Sequence, residues 1–452
     1  MTAVKPKVAP ERLRSLDAYR GFVMLAMASG AFSFMSVLKD GSRAPVLDAL
    51  NGTRFEGWSG VWDVFYRRLC YQFDHVAWTG CSFWDLIQPS FMFMVGVAVP
   101  FSMTRRTAEG HSSARWFAHV LFRALILVLL GIFLSSTSSQ LTNFTFVNVL
   151  TQIGLGYPIL CLLSGLRNRW LLVVALSILT AYWAAFAVYE APDSVQTEIS
   201  DYIHERRPEK YQKEWEATKE TGFAAHWNMH TNFAAAVDRW LLNKFPRNEE
   251  PWREQAFWID DGGYQTLNFV PSLATMIFGL IAGQMLRKEI PPLWKVTRLL
   301  VWASICFVFA MAVDTTIWPV QIEGWNWSLC PAVKRIWTPT WAIFSTGWCF
   351  VLLASFYLVI DVWKIRAWAW PFAIVGMNSI AIYCLAQTIK PWLGRMLTIH
   401  LSTLDHIART DFAGWLNSRY AWQSPILMRT AELALLWLII AWMHRRKIHV
   451  RV

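Results

Sequence analysis

Charged residues are scarce in this sequence. They make up 16% of its 452 residues, whereas hydrophobic residues make up 55%. Soluble domains carry about 25% charged residues. A soluble core could absorb part of the apolar excess, but not repeated windows of about 20 residues that lack charge. No polar linker separates these windows, so the scarcity of charge predicts an all-α, polytopic integral membrane protein built as one helical bundle.

Several features that would point to other classes of protein are also missing. No group of Cys, His, Asp or Glu has the spacing of a metal site, so no metal is expected. We find no internal repeat, no low-complexity run and no inverted-repeat signature of the kind that transporters show. The seven cysteines are uninformative. Cys70 and Cys81 fall on the predicted outer side, where a disulfide between them is an open alternative.

Ten apolar windows are candidate membrane helices. They run near 21–38, 83–103, 119–134, 146–165, 170–190, 266–286, 298–318, 338–360, 370–389 and 425–443. The first could instead be a cleaved signal peptide. Asp17 and Arg20 at its start argue against this, and its removal would leave an odd number of spans with the charge bias reversed. We therefore expect about ten transmembrane helices.

The distribution of Lys and Arg predicts the orientation. Both termini and every even connection are short and basic, as at Lys5, Arg105, Lys288 and Arg445, whereas the connection 135–145 has no Lys or Arg. The positive-inside rule then places both termini in the cytosol. The net charge of +11 mostly reflects this bias, so nucleic-acid binding is not expected.

Two connections are long, 36–82 and 191–265, and both are expected at the outer face. The second contains "DYIHERRPEKYQKEWEATKE", whose helical spacing favours a solvated amphipathic helix that covers the bundle. The alternative is the roof of a substrate pocket. The whole chain, 1–452, is predicted to be a single transmembrane domain with these two connections as outer-face loop elements.

His75 and Asp85 stand out at the mouth of the second window, in "DHVAWTGCSFWDLIQPSF". A carboxylate near the bilayer centre costs roughly 2.5–3.5 kcal/mol on insertion scales. Ser82 to Asp85 has the S-x-x-D form of a capping box, so Asp85 could simply cap the second helix. A lone loop histidine is usually a surface residue, but near neutral pH it can also accept a proton or an acyl group.

Other polar residues within the windows predict a polar cavity inside the bundle. Taken singly, such residues are typically contacts between helices, but together they exceed what such contacts require. They are Arg123, Asn148, Gln152, Asn268, Lys334, Thr338, Ser345, Asn378 and Tyr383.

Several blocks resemble, in order, the membrane-bound acyltransferases typified by heparan-alpha-glucosaminide N-acetyltransferase and its bacterial relatives. The most specific blocks are the His75/Asp85 segment and the Gly376–Met377–Asn378 segment. The resemblance rests on "RLRSLDAYRGF", "DHVAWTGCSFWDLIQPSFMFMVGVAVPFS", "RALILVLLG", "NVLTQIGLGY", "PAVKRIWTPTW" and "PFAIVGMNSIAIY".

The resemblance implies transfer of an acetyl group from cytosolic acetyl-CoA to an amino or hydroxyl group of a sugar or glycan at the outer, periplasmic or luminal, face. His75 matches the family's catalytic histidine, and Asp85 or the adjacent Asp74 would orient its ring. The phosphates of acetyl-CoA require cationic groups. The candidates for acetyl-CoA binding are Arg20, Arg105, Arg106, Arg123, Asn378 and Tyr383. The candidates for acceptor binding are Trp78, Asn268 and Lys334.

Two departures from the family pattern keep other functions open. The asparagine that often follows the first span is missing or displaced in "ASGAFSFMSVLKDG", and Gln152 stands where relatives tend to have Arg one position away. A transporter or flippase of a polar solute or lipid is one alternative, and a non-catalytic partner in envelope assembly is another. The expected location is a bacterial inner membrane, as a multi-pass protein; a homodimer is left open.

Overall fold

The computed structural model describes residues 13–33, 69, 71–108, 113–247, 257–317, 327–408 and 424–450. These residues form helices and loops, with two isolated antiparallel β-bridges, Thr79–Val333 and Asp314–Ser328. The α-helices are α1 (Arg14–Ser29), α2 (Ile87–Ala108), α3 (Ser113–Ser135), α4 (Val149–Leu163), α5 (Asn168–Val188), α6 (Asp193–Arg206), α7 (Glu209–Glu216), α8 (Phe233–Leu242), α9 (Phe269–Leu286), α10 (Pro292–Val313), α11 (Pro339–Tyr357), α12 (Trp370–Met377), α13 (Ser379–Thr388), α14 (Lys390–Ala408) and α15 (Ser424–Arg445).

Seven helical segments in these ranges are long and apolar enough to cross a membrane. They are Trp84–Met103, Ala114–Ser135, Asn168–Val188, Thr266–Leu286, Pro292–Val313, Pro339–Val362 and Ile426–Arg445. The pair Ala367–Met377 and Ser379–Thr388, bent by 74°, would be an eighth if it forms one span. The prediction of a polytopic helical membrane protein is confirmed.

The other two predicted windows, 21–38 and 146–165, contain the shorter helices α1 and α4, of 16 and 15 residues. Residues 34–38 of the first window lie outside the described residues. Each of the ten windows thus overlaps a helix, but the number of spans and the cytosolic placement of both termini stay predictions. Helix α14 follows the bent pair and was not predicted.

Helix α9 is at the centre of the bundle, where 83% of its apolar window is buried, compared with 17% for α15. It packs mainly against α2. A Cβ atom on Gly279 would overlap the carbonyl oxygen of Phe93, and one on Gly283 would overlap that of Val97. Small residues four apart let membrane helices approach this closely. The α2–α9 contact therefore fixes the position of α2, which begins just after Asp85.

A second close contact joins α1 to α12. A Cβ atom on Gly21 would overlap the carbonyl oxygen of Phe372, and one on Gly376 would overlap that of Asp17. Both glycines belong to blocks that the sequence resemblance singled out. Their presence is accounted for by packing, because only glycine lets these two backbones touch.

The described residues of the connection 191–265 form a small helical layer over one end of the bundle. Ile199, Ile203 and Trp215 on α6 and α7 are buried, and they share a hydrophobic cluster with Trp227 and with Trp78 of the His75 loop. The exposed face of α7 carries i,i+4 pairs of Lys with Glu. This layer therefore supports the loop that carries His75.

We predict that Gly279→Leu destabilises the bundle, because the added side chain forces α9 away from α2. Overpacking of this kind typically costs about 1–3 kcal/mol, and occasionally more. Thermal unfolding of the purified protein, followed by tryptophan fluorescence, measures the effect. Gly165→Leu is the matched control, since nothing lies within 4 Å of a Cβ atom at that glycine. Equal midpoints for the two variants would contradict the packing argument.

We predict a pH dependence of stability from Asp238 in α8. This carboxyl is buried, and burial raises its pKa to about 6, although Oδ2 accepts a 2.9 Å hydrogen bond from the Thr266 amide. The folded state therefore holds the proton more tightly than the unfolded state. This contribution, at most about 3 kcal/mol, is present at low pH and is lost as pH rises from about 4 to about 6.

Asp238→Asn removes that dependence, so the variant should gain stability over the parent protein as pH rises through this range. Thermal midpoints at pH 4.5 and pH 7 measure it. Asp201→Asn on the exposed face of α6 is the control. A parent-to-variant difference that is the same at both pH values would rule out the assignment to Asp238.

Candidate active site

Two loops at one end of the bundle carry His75 and Lys334. The bridge between Thr79 and Val333 joins them, and the Gly80 amide donates a 2.9 Å hydrogen bond to the carbonyl oxygen of Ala332. Gly80 has a φ of +108°, a backbone conformation that favours glycine. Because Lys334 directly follows Val333, the bridge brings its side chain beside His75.

The Lys334 loop is held from several sides. The Ala332 amide donates to Asp314 Oδ2 at 2.8 Å, and the Val333 amide donates to Thr338 Oγ1 at 3.0 Å. Asn268 Nδ2 donates to the carbonyl oxygen of Arg335 at 2.7 Å. The amide nitrogen of Asn268, a predicted acceptor-binding residue, is therefore engaged in positioning this loop.

Asp85 lies in the turn that precedes α2 and is fully buried. Its Oδ1 is 2.7 Å from His75 Nδ1 and 3.0 Å from Lys334 Nζ. Its Oδ2 accepts hydrogen bonds from the amides of Ser82, at 3.2 Å, and Val76, at 3.3 Å. Lys334 is itself buried. The carboxylate is thus compensated by a cation and by N–H donors on both oxygens, as burial of a charge requires.

Asp85 takes part both in a capping box and in the contact with His75. The Asp85 amide donates to Ser82 Oγ at 3.3 Å, while Oδ2 accepts from the Ser82 amide, which is the reciprocal pattern of the box. The other oxygen, Oδ1, faces His75 and Lys334. The two interpretations of Asp85 that the sequence left open are therefore compatible.

The geometry selects one tautomer of His75. Lys334 Nζ is 3.1 Å from His75 Nδ1, but Nδ1 cannot accept from Lys334 while it donates to Asp85. An ammonium has donors only, whereas a carboxylate oxygen can accept from both neighbours. The Nδ1–H therefore points to Asp85 Oδ1 and leaves the lone pair on Nε2. The side chain of His75 is 42% exposed, so Nε2 is accessible to a reactant.

Asp74 has a different role. Its Oδ1 accepts a 2.9 Å hydrogen bond from the backbone amide of His75, and its carbonyl oxygen accepts one of 2.6 Å from Ser82 Oγ. Of the two carboxylates predicted to orient the imidazole, the structure therefore places Asp85 on the ring and Asp74 on the loop backbone.

A cavity of about 430 Å³ opens beside His75. Its polar side chains are those of His75, Gln88, Asn148, Tyr264, Lys334 and Tyr383. Its apolar wall includes Met24 and Met27 of α1 and Ile87 and Phe91 of α2. Of the nine polar residues that predicted a polar cavity, Asn148, Lys334 and Tyr383 line this one, and most of its surface is apolar.

The predicted arginines are more scattered. Arg20 lies one helical turn before Met24 on the same face of α1, at i and i+4. Arg123 Nη1 donates to Tyr157 Oη at 3.1 Å, and its guanidinium lies 5.2 Å from the centre of that ring. Arg105 and Arg106 are in the last turns of α2, and their side chains lie outside the described part of the structure.

Tyr383 lines the cavity, but two other predicted residues have partners elsewhere. The Asn378 side chain accepts from the Val450 amide at 3.1 Å and donates to the carbonyl oxygen of Ile448 at 3.2 Å. Trp78 is buried, and its Nε1 donates to the carbonyl oxygen of Trp227 at 3.1 Å. These contacts make Asn378 an anchor for the segment after α15 and Trp78 an anchor for the layer above the bundle.

Sequence reasoning missed several residues of the cavity wall, among them Gln88, Met24, Met27 and Tyr264. Gln88 carried a usable signal, because it lies three residues after Asp85 and helical residues three apart share a face. Tyr264 carried none, since it lies in a loop.

Cys81 has a free thiol, and Cys70 lies outside the described residues, as does the stretch 34–68 where the family asparagine was sought.

No protein-family model matches the chain. It is similar to heparan-alpha-glucosaminide N-acetyltransferase of Homo sapiens, with 21% identity over 420 residues, which are 83% of this chain and 52% of the human protein. The enzyme of the same name from Mus musculus is 21% identical over 357 residues, 69% of this chain and 48% of the mouse protein. The chain spans about half the length of these curated relatives. The matches confirm the predicted family-level relationship.

We predict that Lys334→Met strongly destabilises the protein, because it leaves the Asp85 charge buried without its cation. Breaking a buried pair in this way typically costs about 3–5 kcal/mol. Adding Asp85→Asn removes the leftover charge, so the double variant should unfold at a higher temperature than Lys334→Met alone. Lys213→Met, in an exposed pair with Glu209, is the control and should lose much less. A double variant no more stable than Lys334→Met would be inconsistent with a compensated charge.

Proposed function

We propose that this chain is a membrane acetyltransferase that moves an acetyl group from acetyl-CoA to an amino or hydroxyl group of a sugar or glycan. The observation that carries the proposal is the His75–Asp85–Lys334 cluster, which leaves Nε2 of an oriented imidazole beside a cavity. The names of the two relatives support acetyl transfer to a glucosaminide amine as the reaction class. The proposed donor is acetyl-CoA, which a reaction of that class suggests.

His75 is the reacting residue in this proposal. Nε2 either removes the proton of the acceptor N–H or O–H as that group attacks the thioester carbonyl, or attacks the carbonyl itself to form an acetyl-histidine. In both routes the carbonyl–sulfur bond breaks and the CoA thiolate leaves. In the first route the proton on Nε2 passes to the thiolate. In the second, the acceptor takes the acetyl group from the imidazole and its proton goes to the solvent or the thiolate.

Asp85 and Lys334 act through His75. Asp85 holds Nδ1–H and stabilises the positive imidazole that forms when Nε2 gains a proton or an acetyl group. Lys334 balances the charge of Asp85 in the resting state, so the cluster is neutral with neutral His75. Lys334, predicted from sequence to bind the acceptor, becomes a positioning residue in this proposal.

The cavity has features that suit each of the two reactants, acetyl-CoA and the sugar. The apolar wall of Met24, Met27, Ile87 and Phe91 fits a thioester arm, and Tyr383 adds a hydroxyl to it. Arg20, one turn before Met24 on α1, is the cation that this proposal assigns to a CoA phosphate. The sugar would approach from the His75 end. We extend the proposal to cytosolic donor, outer-face acceptor and a bacterial inner membrane; a homodimer is left open.

We predict that His75→Ala lowers acetyl transfer by at least about 10²–10⁴-fold, the contribution of a positioned base. The measurement is mass spectrometry of candidate amino sugars and glycans after incubation with acetyl-CoA and purified protein. His204→Ala is the matched control, because His204 is an exposed histidine on α6 and its loss should leave the rate unchanged. Wild-type turnover in His75→Ala would refute the role of His75.

Incubation with labelled acetyl-CoA alone separates the two routes. Label retained on wild-type protein and absent from His75→Ala supports acetyl-histidine, whereas no label together with normal turnover supports direct transfer. Solute movement across proteoliposomes without acetyl-CoA consumption would instead favour a transporter.

A further inference from the structure

Gln88 is one of three polar residues of the cavity wall that the proposed mechanism does not use; the other two are Asn148 and Tyr264. It lies in the first turn of α2, three residues after Asp85, and lines the same cavity as His75 and Lys334. Its side chain is half-buried. A reactant that fills this cavity beside His75 would therefore also meet the wall to which Gln88 belongs.

The hydrogen bonds around Gln88 fix which of its two amide atoms is already engaged within the protein. Gln152, fully buried on α4, donates from Nε2 to the carbonyl oxygen of Val147 at 3.1 Å. That acceptor is a backbone carbonyl, which cannot donate, so the Gln152 amide can be placed only this way round. Its Oε1 then requires a donor, and Gln88 Nε2 supplies it at 3.1 Å. Gln88 Oε1 is left without a hydrogen-bond partner among the described residues.

We propose that Gln88 Oε1 is a neutral recognition point for a reactant, accepting a hydrogen bond from an O–H or amide N–H group held next to His75. Gln152 is the positioning residue that directs this oxygen. The inference rests on the proposed function and adds a binding contact to it. Two reactants carry such a group: the sugar, as a hydroxyl, and the donor, as an amide of its pantetheine arm.

The physical basis is the cost of an unpaired acceptor. Water can donate a hydrogen bond to Gln88 Oε1 while the cavity is empty. A bound ligand without a donor next to this oxygen would displace the water and leave the oxygen without a hydrogen bond. Sites built to hydrogen-bond a substrate group discriminate against analogues that lack it for this reason. The contact would therefore select a group that carries a hydrogen-bond donor over an alkyl chain.

The test is calorimetric titration of the full chain in lipid nanodiscs with CoA and, separately, with D-glucosamine. Gln88→Leu keeps the size and removes the amide. It should raise the Kd of one ligand about two- to tenfold, the loss expected for one neutral hydrogen bond, and leave the other unchanged. A weaker CoA titration assigns the contact to the donor, and a weaker glucosamine titration assigns it to the acceptor. Unchanged Kd values for both would overturn the proposal.

Two further variants separate this contact from a structural effect. Gln140→Leu, on an exposed connection, is the control and should change neither Kd. Gln152→Leu should weaken the same ligand as Gln88→Leu does, and the double variant should be no weaker than Gln88→Leu alone, because Gln152 acts through Gln88. Additive losses would overturn the positioning role.

CoA binding that depends on Gln88 in a protein with no acetyl transfer would refute the proposed function while upholding this contact.

Discussion

A buried negative charge on Asp85 organises this end of the molecule. Such a charge is stable only where cations and N–H groups surround it. Here they come from three places in the chain: the turn before α2, the loop around His75 and the loop around Lys334, which is 249 residues away in sequence. None of these segments could move alone without exposing the charge to an apolar environment. The shape of the candidate site is therefore a consequence of electrostatic compensation.

The helices below supply the rigid base that this arrangement needs. Gly279 and Gly283 let α9 touch the backbone of α2, so the start of α2 has a fixed position relative to the bundle centre. Above the membrane helices, Trp78 ties the His75 loop to the layer formed by α6 to α8. The catalytic histidine of the proposal thus lies on a loop, but a loop held by a helix pair on one side and a hydrophobic cluster on the other.

The sequence was sufficient for the membrane class and for most of the long apolar helices, though not for α14, because a soluble fold rarely contains repeated runs of about 20 apolar residues without charge. It also offered Asp85 and Asp74 as the carboxylates beside His75, since all three lie in one short motif, but it did not choose between them. The partnership of Lys334 with that pair was not predictable, because it depends on a bridge between distant loops. Asn378 was assigned to acetyl-CoA binding, yet its amide contacts the backbone of residues 448 and 450. Such a contact leaves no periodic signal in either segment.

Asp85 divides two duties between its oxygens: Oδ2 closes the turn that begins α2, and Oδ1 faces the imidazole and the ammonium. In the proposed enzyme, one residue therefore serves both the folding of this turn and the chemistry of His75. A replacement of Asp85 would change both of these at once. A replacement of the neighbouring Gln88 would alter the site while leaving the hydrogen bonds of the turn before α2 intact.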